Sequence, residues 1–190
     1  MPAGAACAAG ERECGVSKIK LNLGCGSKLR QGYVNADMVT GEGVSYADLT
    51  APLPWGDGTA SEILLEDVVE HLWPDELERL LVECERVLCV GGKLVLVTPD
   101  LGAVALAVVQ GTVDLETLTH VMFGWYAHKG ERERSIHMLH KQAWTRPEFE
   151  DLVEAAGFRV ELVADTPQIL ADRVHPSPCL SMGLVATKQI

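Results

Sequence analysis

"KIKLNLGCGSKLRQGYVNADM" (residues 18–38) carries an apolar run that stops at two glycines, with an acid thirteen residues beyond the first of them. Residues 19–23 alternate as a strand does, and Gly24 and Gly26 then supply a sharp turn with no Cβ in the way of a ligand. "GYVNADM" (32–38) reads as a second strand ending near Asp37, where a carboxylate can accept both hydroxyls of a ribose. A dinucleotide's pyrophosphate calls for a third glycine and a helix N-terminus. Here the third glycine position of GxGxxG is Leu29, and six residues between Gly26 and Tyr33 are too few for a helix of normal length. The turn therefore suits a nucleoside ligand without phosphate.

Working outward, "SEILLED" (61–67) reads as another strand, with a weaker one near "VSYADL" (44–49). "PDELERLLVECERVL" (74–88) reads as a helix: Leu77, Leu80, Leu81, Cys84, Val87 and Leu88 share one face, Pro74 opens it, and Gly91 and Gly92 follow it. "KLVLVTPD" (93–100) has the Val and Leu content of a buried parallel strand, and "LGAVALAVVQ" (101–110) reads as a short helix beside the sheet. Residues 111–145 break the rhythm and are expected to form an irregular, lid-like insertion; they hold four of the six histidines and two of the four tryptophans. "TRPEFEDLVEAAGF" (145–158) is a helix with capping-box spacing between Thr145 and Glu148 and a stop at Gly157. "FRVELV" and "LSMGLVATK" follow as two strands without a helix between them, which predicts an antiparallel hairpin at the edge of a parallel α/β sheet. Ligands of such sheets sit beyond the carboxyl ends of the strands, where Asp37, Asp48, Glu66 and Asp67 all fall.

A chain of 190 residues with 47% hydrophobic and 23% charged residues is expected to form one domain, residues 18–190, behind a disordered Ala- and Gly-rich tail at 1–17. Cysteines at 7, 14, 25, 84, 89 and 179 show neither a CxxC pair nor finger-like spacing, so reduced thiols are expected. No apolar run nears the roughly 20 residues that span a bilayer, and the reading is of a cytoplasmic protein without membrane contact. A net charge of -11 disfavours nucleic acid as partner, because counterion release needs clustered Lys and Arg. Lys129, Arg132, Arg134 and Lys141 form the best local basic patch.

Taken together, "LNLGCGS", "YVNADM", "ADLTAPLPWGDGTASEILLEDVVEHL", "ECERVLCVGGKLVLVTPD" and "LVEAAGF" resemble, in order and spacing, the class I S-adenosylmethionine-dependent methyltransferases, over residues 18–163. The resemblance implies a Rossmann-like fold, a seven-stranded, mostly parallel sheet whose last strand is antiparallel. It also implies S-adenosylmethionine as cofactor. Gly24, Cys25 and Gly26 would pass under its methionine part, Asp37 would hold the ribose, and Met38 would pack on the adenine. Asp48 and Leu49 would bind the adenine's edge and face, and Glu66 and Asp67 would stand beside the methionine end and the acceptor. This chain departs from the family in having Asn22 where many members carry an acid, a much shortened first helix, and "CVGG" in place of "KPGG".

Methyl transfer gains most from aligning acceptor and methyl carbon, and a hydroxyl acceptor also needs a base. "IHMLHKQAWT" (136–145) resembles the family's stretch before its last helix, making His140, then His137, the candidate general base or acceptor contact. His71 is read as fixing the loop after the fourth strand. Trp125, Tyr126 and Trp144 either stack on an acceptor or anchor the lid. His137 and His140 with Glu131 or Glu133 have loose metal-ligand spacing, and no metal is assigned. The expected function is methyl transfer to an oxygen or nitrogen of a small-molecule acceptor, with oligomeric state open. Two alternatives stay open: a methyltransferase-like binding module without turnover, and an NAD-dependent oxidoreductase.

Overall fold

The computed structural model describes residues 18–124, 136–165 and 180–189; the tail at 1–17 lies outside them. Seven strands form one sheet in the order β3-β2-β1-β4-β5-β7-β6. Strands β1 (Ile19–Leu23), β2 (Val34–Asp37), β3 (Val44–Tyr46), β4 (Ala60–Glu66) and β5 (Leu88–Pro99) run parallel. β7 (Ser181–Lys188) enters antiparallel between β5 and β6 (Phe158–Asp165). The expected hairpin is therefore present, with β6 as the edge. The order of strands reverses between β1 and β4, so their carboxyl ends open one crevice.

Helix α1 (Pro74–Val87) forms where the 3.6-residue pattern placed it and buries Leu77, Leu80, Leu81, Cys84 and Val87 against the sheet. Each such side chain contributes roughly 1.5–3 kcal/mol. Burial pushes the Cys84 thiol up to about 12, so it packs as an inert apolar group. Helix α4 (Arg146–Ala155) starts at the expected capping box, Glu148 accepting from both the Thr145 amide (3.1 Å) and its hydroxyl (2.8 Å), and buries Phe149 and Val153. Helix α2 (Leu101–Gln110) is capped by Asp100, whose Oδ1 accepts from the Gly102 and Ala103 amides.

Within the expected insertion at residues 111–145, the described residues are partly regular. Part of that segment is a helix, α3 (Leu115–Phe123), started by Asp114 accepting from the Thr117 amide at 2.9 Å. Leu118, Val121 and Met122 pack on Val104 and Ala107 of α2 and on Leu180. β5 also begins five residues before the expected Lys93, because a register shift lets Leu88 pair with Ala60 while Lys93 pairs with Glu62.

One ion-pair network pins the chain between β3 and β4. Arg86 makes a fork to both oxygens of Glu83 (2.9 and 2.7 Å) and donates to Asp57 and to the carbonyls of Leu53 and Trp55, while Glu83 accepts from the Leu53 amide at 2.7 Å. Arg86→Ala is expected to lower stability by about 2–3 kcal/mol in urea unfolding. Chiefly through Arg86, the Glu83 carboxyl is held below the usual range. A depressed folded pKa contributes stability above the unfolded value of about 4.3 and loses it as pH falls through the folded value. The penalty of Glu83→Gln is therefore expected at neutral pH and should vanish in acid.

Candidate active site

At the end of β1 the chain turns through Gly24 (φ 64°) and Gly26 (φ 49°), both in the left-handed region that glycine enters without cost. A Cβ on Gly24 would meet Val68 Cγ2 at 2.6 Å, so the turn is closed on that side. A Cβ on Gly26 would meet nothing within 4 Å, so the other side is open. The Gly26 amide donates to Asp37 Oδ2 at 2.9 Å and the Val39 amide donates to Oδ1 at 2.8 Å. The tip of β2 is thereby locked onto the glycine turn. Buried Cys25 donates its amide to the Ala36 carbonyl at 3.2 Å, reinforcing the same junction. Met38 is 52% exposed beside it. After β3, Asp48 Oδ1 accepts from the amide and hydroxyl of Thr50, which hold its carboxyl below the usual range, and Leu49 packs against the core.

Asn22 explains the missing first helix. Its side-chain amide, buried at 2% exposure, donates to the Lys28 carbonyl and to Asn35 Oδ1, each at 2.8 Å, and Asn35 Oδ1 accepts from the Arg30 amide at 2.8 Å. A carboxylate at residue 22 has no donor for the Lys28 carbonyl. In this chain the amide organises the 27–33 loop that stands where a longer helix would begin.

That loop carries two cations that sequence reasoning missed. Arg30 Nη2 lies 2.8 Å and Lys28 Nζ 3.1 Å from buried Glu66, and Lys28 also reaches Asp67 at 2.8 Å. Glu66 and Asp67 do end β4 at the crevice, but both are already ion-paired. Asp67 has φ 54°, the one positive φ outside glycine among the described residues. Such a conformation costs about 1–2 kcal/mol and collects at functional sites.

Beyond β4, the 3-10 turn Val69–His71 brings Glu70 and His71 to the segment that precedes α4. The His140 ring lies edge-on to His71 with centroids 4.8 Å apart, and its Nε2 is 4.0 Å from Glu70 Oε1. His140 Nδ1 lies 3.0 Å from the Val121 carbonyl and His71 Nδ1 lies 3.2 Å from the Leu139 carbonyl. A carbonyl only accepts, so each Nδ1 carries the proton and each Nε2 a lone pair. Burial lowers the pKa of both rings, His140 to about 4, and keeps them neutral. Glu70 is 1% exposed; its Oε2 accepts from Thr98 at 3.1 Å, while Oε1 is buried with no hydrogen-bond partner. Burial first, and then Asp67, pushes its carboxyl up. The Lys141 amide donates to the Glu70 carbonyl at 2.7 Å, which fastens the two segments together.

Of the expected site residues, the structure brings Gly24, Cys25, Gly26 and Asp37 to one junction, with Met38 beside it. It sets His140 against Glu70 and His71. His137 is exposed on the 3-10 turn Ile136–Met138 and does not join that group. Trp144 is in the core against Phe149, with rings 5.3 Å apart, whereas Trp125, Tyr126, Glu131 and Glu133 lie outside the described residues. No helix among the described residues is long and apolar enough to cross a membrane.

No curated protein matches the sequence. Many solved structures match the fold. A SAM-dependent methyltransferase from Methanosarcina mazei is 16% identical with a TM-score of 0.62, over 92% of this chain and 95% of that one. The Burkholderia thailandensis 1,6-didemethyltoxoflavin-N1-methyltransferase, solved with its substrate and S-adenosylhomocysteine, is 18% identical with a TM-score of 0.58, over 90% and 71%. A methyltransferase from Haloferax volcanii, solved with the Trm112 activator, is 14% identical with a TM-score of 0.57, over 91% and 83%. At these identities the likeness is one of fold. Residues 28–96, from the loop after the glycine turn to β5, match the family model described as a methyltransferase domain. That match and the strand order give the chain the Rossmann-like fold of the class I S-adenosylmethionine-dependent methyltransferases.

Proposed function

We propose that this chain transfers the methyl group of S-adenosylmethionine to an oxygen or nitrogen of a small-molecule acceptor in the cytoplasm. The observation that carries the cofactor half of this reading is the bond from the Gly26 amide to Asp37, which makes one cradle of the glycine turn and the carboxylate at the tip of β2. The fit follows from open space above Gly26 and from the half-exposed Met38 beside Asp37. When bound, S-adenosylmethionine supplies a methyl group activated on sulfur. The turn at Gly24, Cys25 and Gly26 runs beneath its methionine part, and the remaining lone pairs of Asp37 accept from the ribose. Met38 and Leu49 flank the adenine, whose amine meets Asp48. Glu66, clamped by Arg30 and Lys28, holds the 27–33 loop in place, and Asp67 borders the methionine end.

The acceptor lies beyond β4 and β5, with His140 as its contact and His137 on the turn leading to it. A negative net charge and a structural neighbour solved with bound 1,6-didemethyltoxoflavin support a small acceptor.

Thermal unfolding tests the reading directly. S-adenosylhomocysteine at about 100 times its Kd should add roughly 2.7 kcal/mol, or about 5–10 °C in Tm, while NAD should leave Tm in place. Stabilisation by NAD alone would overturn the assignment. Cofactor binding without S-adenosylhomocysteine release across hydroxyl and amine acceptors would instead leave a binding module.

A further inference from the structure

Glu70, His71 and His140 form a constellation that the cofactor does not need. One carboxylate oxygen of Glu70 and one ring nitrogen of each histidine all lie within 4.8 Å of one another. A dication with ligand bonds of about 2.0–2.2 Å holds its ligand atoms some 3–3.5 Å apart, so a small rotation of the rings closes the group. Both imidazoles are already in the ligating tautomer, because the Val121 and Leu139 carbonyls take their Nδ1 protons and leave the Nε2 lone pairs free. That backbone anchoring is the usual outer support of metal-bound histidines.

The independent sign is Glu70 Oε1. It is fully buried, has no hydrogen-bond partner, and faces His140 Nε2 across 4.0 Å. Burial favours a protonated carboxyl there, but at 4.0 Å from His140 Nε2 that proton reaches no acceptor, and a cation in the gap would displace it and pair the oxygen. Lys28 and Arg30 are engaged on Glu66 and Asp67, and Lys141 stacks over the Trp73 ring at 5.2 Å. None of those cations makes an ion pair with Oε1, although Lys28 acts on the Glu70 carboxyl from a distance.

We propose that Glu70, His71 and His140 bind one transition-metal dication of the zinc class through two imidazole nitrogens and a carboxylate. Three protein ligands leave a coordination position open, as catalytic sites do and structural ones do not. On the reading that the acceptor lies at this end of the sheet, an acceptor hydroxyl would take the open position. The ion would lower the pKa of that hydroxyl so that its proton passes to water, and the oxygen anion, keeping lone pairs of its own, would take the methyl as the carbon–sulfur bond breaks and S-adenosylhomocysteine leaves. The His140 contact to the acceptor is thus made through the ion.

The test uses the full chain, stripped with EDTA and titrated with Zn2+ by calorimetry and with Co2+ by visible absorption. One equivalent should bind, with Co2+ bands of the four- or five-coordinate kind. His71→Ala and His140→Ala should each weaken binding roughly a hundredfold or more. Glu70→Gln, which keeps an acceptor for Thr98 and the same volume, should weaken it as strongly without unfolding the protein. Zero stoichiometry overturns the proposal, and so does Zn2+ affinity unchanged in all three variants. S-adenosylhomocysteine affinity is measured on the same stripped protein. Cofactor binding without metal sinks the metal site alone, and metal binding without cofactor sinks the methyl-transfer reading alone.

Discussion

Asp37→Ala should weaken S-adenosylhomocysteine binding by two to three orders of magnitude. A hydrogen bond to a charged group is worth about 1.5–3 kcal/mol, and the carboxylate is assigned two from the ribose. Losing both costs about 3–4 kcal/mol, at 1.4 kcal/mol per tenfold. The variant also loses the bonds from Gly26 and Val39 that fix the turn, which should lower stability by about 1–2 kcal/mol. Asp37→Asn separates the two effects. One amide oxygen can still accept from Gly26, but the amide nitrogen then faces the Val39 N–H, so the turn keeps one of its two anchors while one ribose bond and the charge are lost, and affinity should fall only about tenfold. Calorimetry on both variants at a temperature where each is folded checks the order wild type, Asn, Ala. Equal affinities in all three would remove Asp37 from the cofactor site and leave its carboxylate as a turn anchor.

What could be read from the sequence follows from how local each determinant is. The turn after β1, the frame of α1 and the capping box of α4 each rest on residues within a few positions, so pattern alone placed them. α3 was legible in principle: Asp114 has a capping partner three residues on, and Leu118, Val121 and Met122 share a face. Surrounding histidines, threonines and tryptophans obscured that face. The meeting of Glu70 with His140 on the acceptor side was not legible. Glu70 reads as one more acid after a strand, and nothing in "VVEHL" reveals that it is buried or that its neighbour is His140, seventy residues away. Lys28 and Arg30 were hidden for a related reason. Their role appears only once Asn22 and Asn35 fold the loop back over the end of β4. Asn22, which departs from the acid many members of the resembled family carry, is the residue that shapes this loop.

Gly124→Ala tests how His140 is placed. Gly124 ends α3 at φ 80° and ψ -179°, a region reserved for glycine, and it pairs with Leu139 across an antiparallel bridge. The His140 amide donates to the Phe123 carbonyl at 3.2 Å, so one crossing point fixes both the backbone and, through Val121, the ring. A Cβ at residue 124 would stand 2.0 Å from the Met138 carbonyl oxygen and 2.9 Å from His140 Cδ2. Backbone strain of about 1–3 kcal/mol adds to overpacking of about 1–3 kcal/mol, and the near contact is a carbonyl that cannot rotate aside. The expected cost is about 4 kcal/mol in urea unfolding. Gly111→Ala is the matched control: its φ is 65°, but a Cβ there meets nothing within 4 Å, so it should cost only about 1 kcal/mol. Because Gly124 lies apart from the turn at Gly24 and Gly26, S-adenosylhomocysteine affinity in the folded variant should stay within a few fold of wild type. The displaced His140 ring should lose its Val121 bond and part of its burial, and its titration, followed by NMR, should move up toward that of free histidine. A Gly124→Ala protein as stable as Gly111→Ala, with an unchanged His140 titration, would show that the crossing of α3 and the 136–140 segment does not hold the acceptor side together.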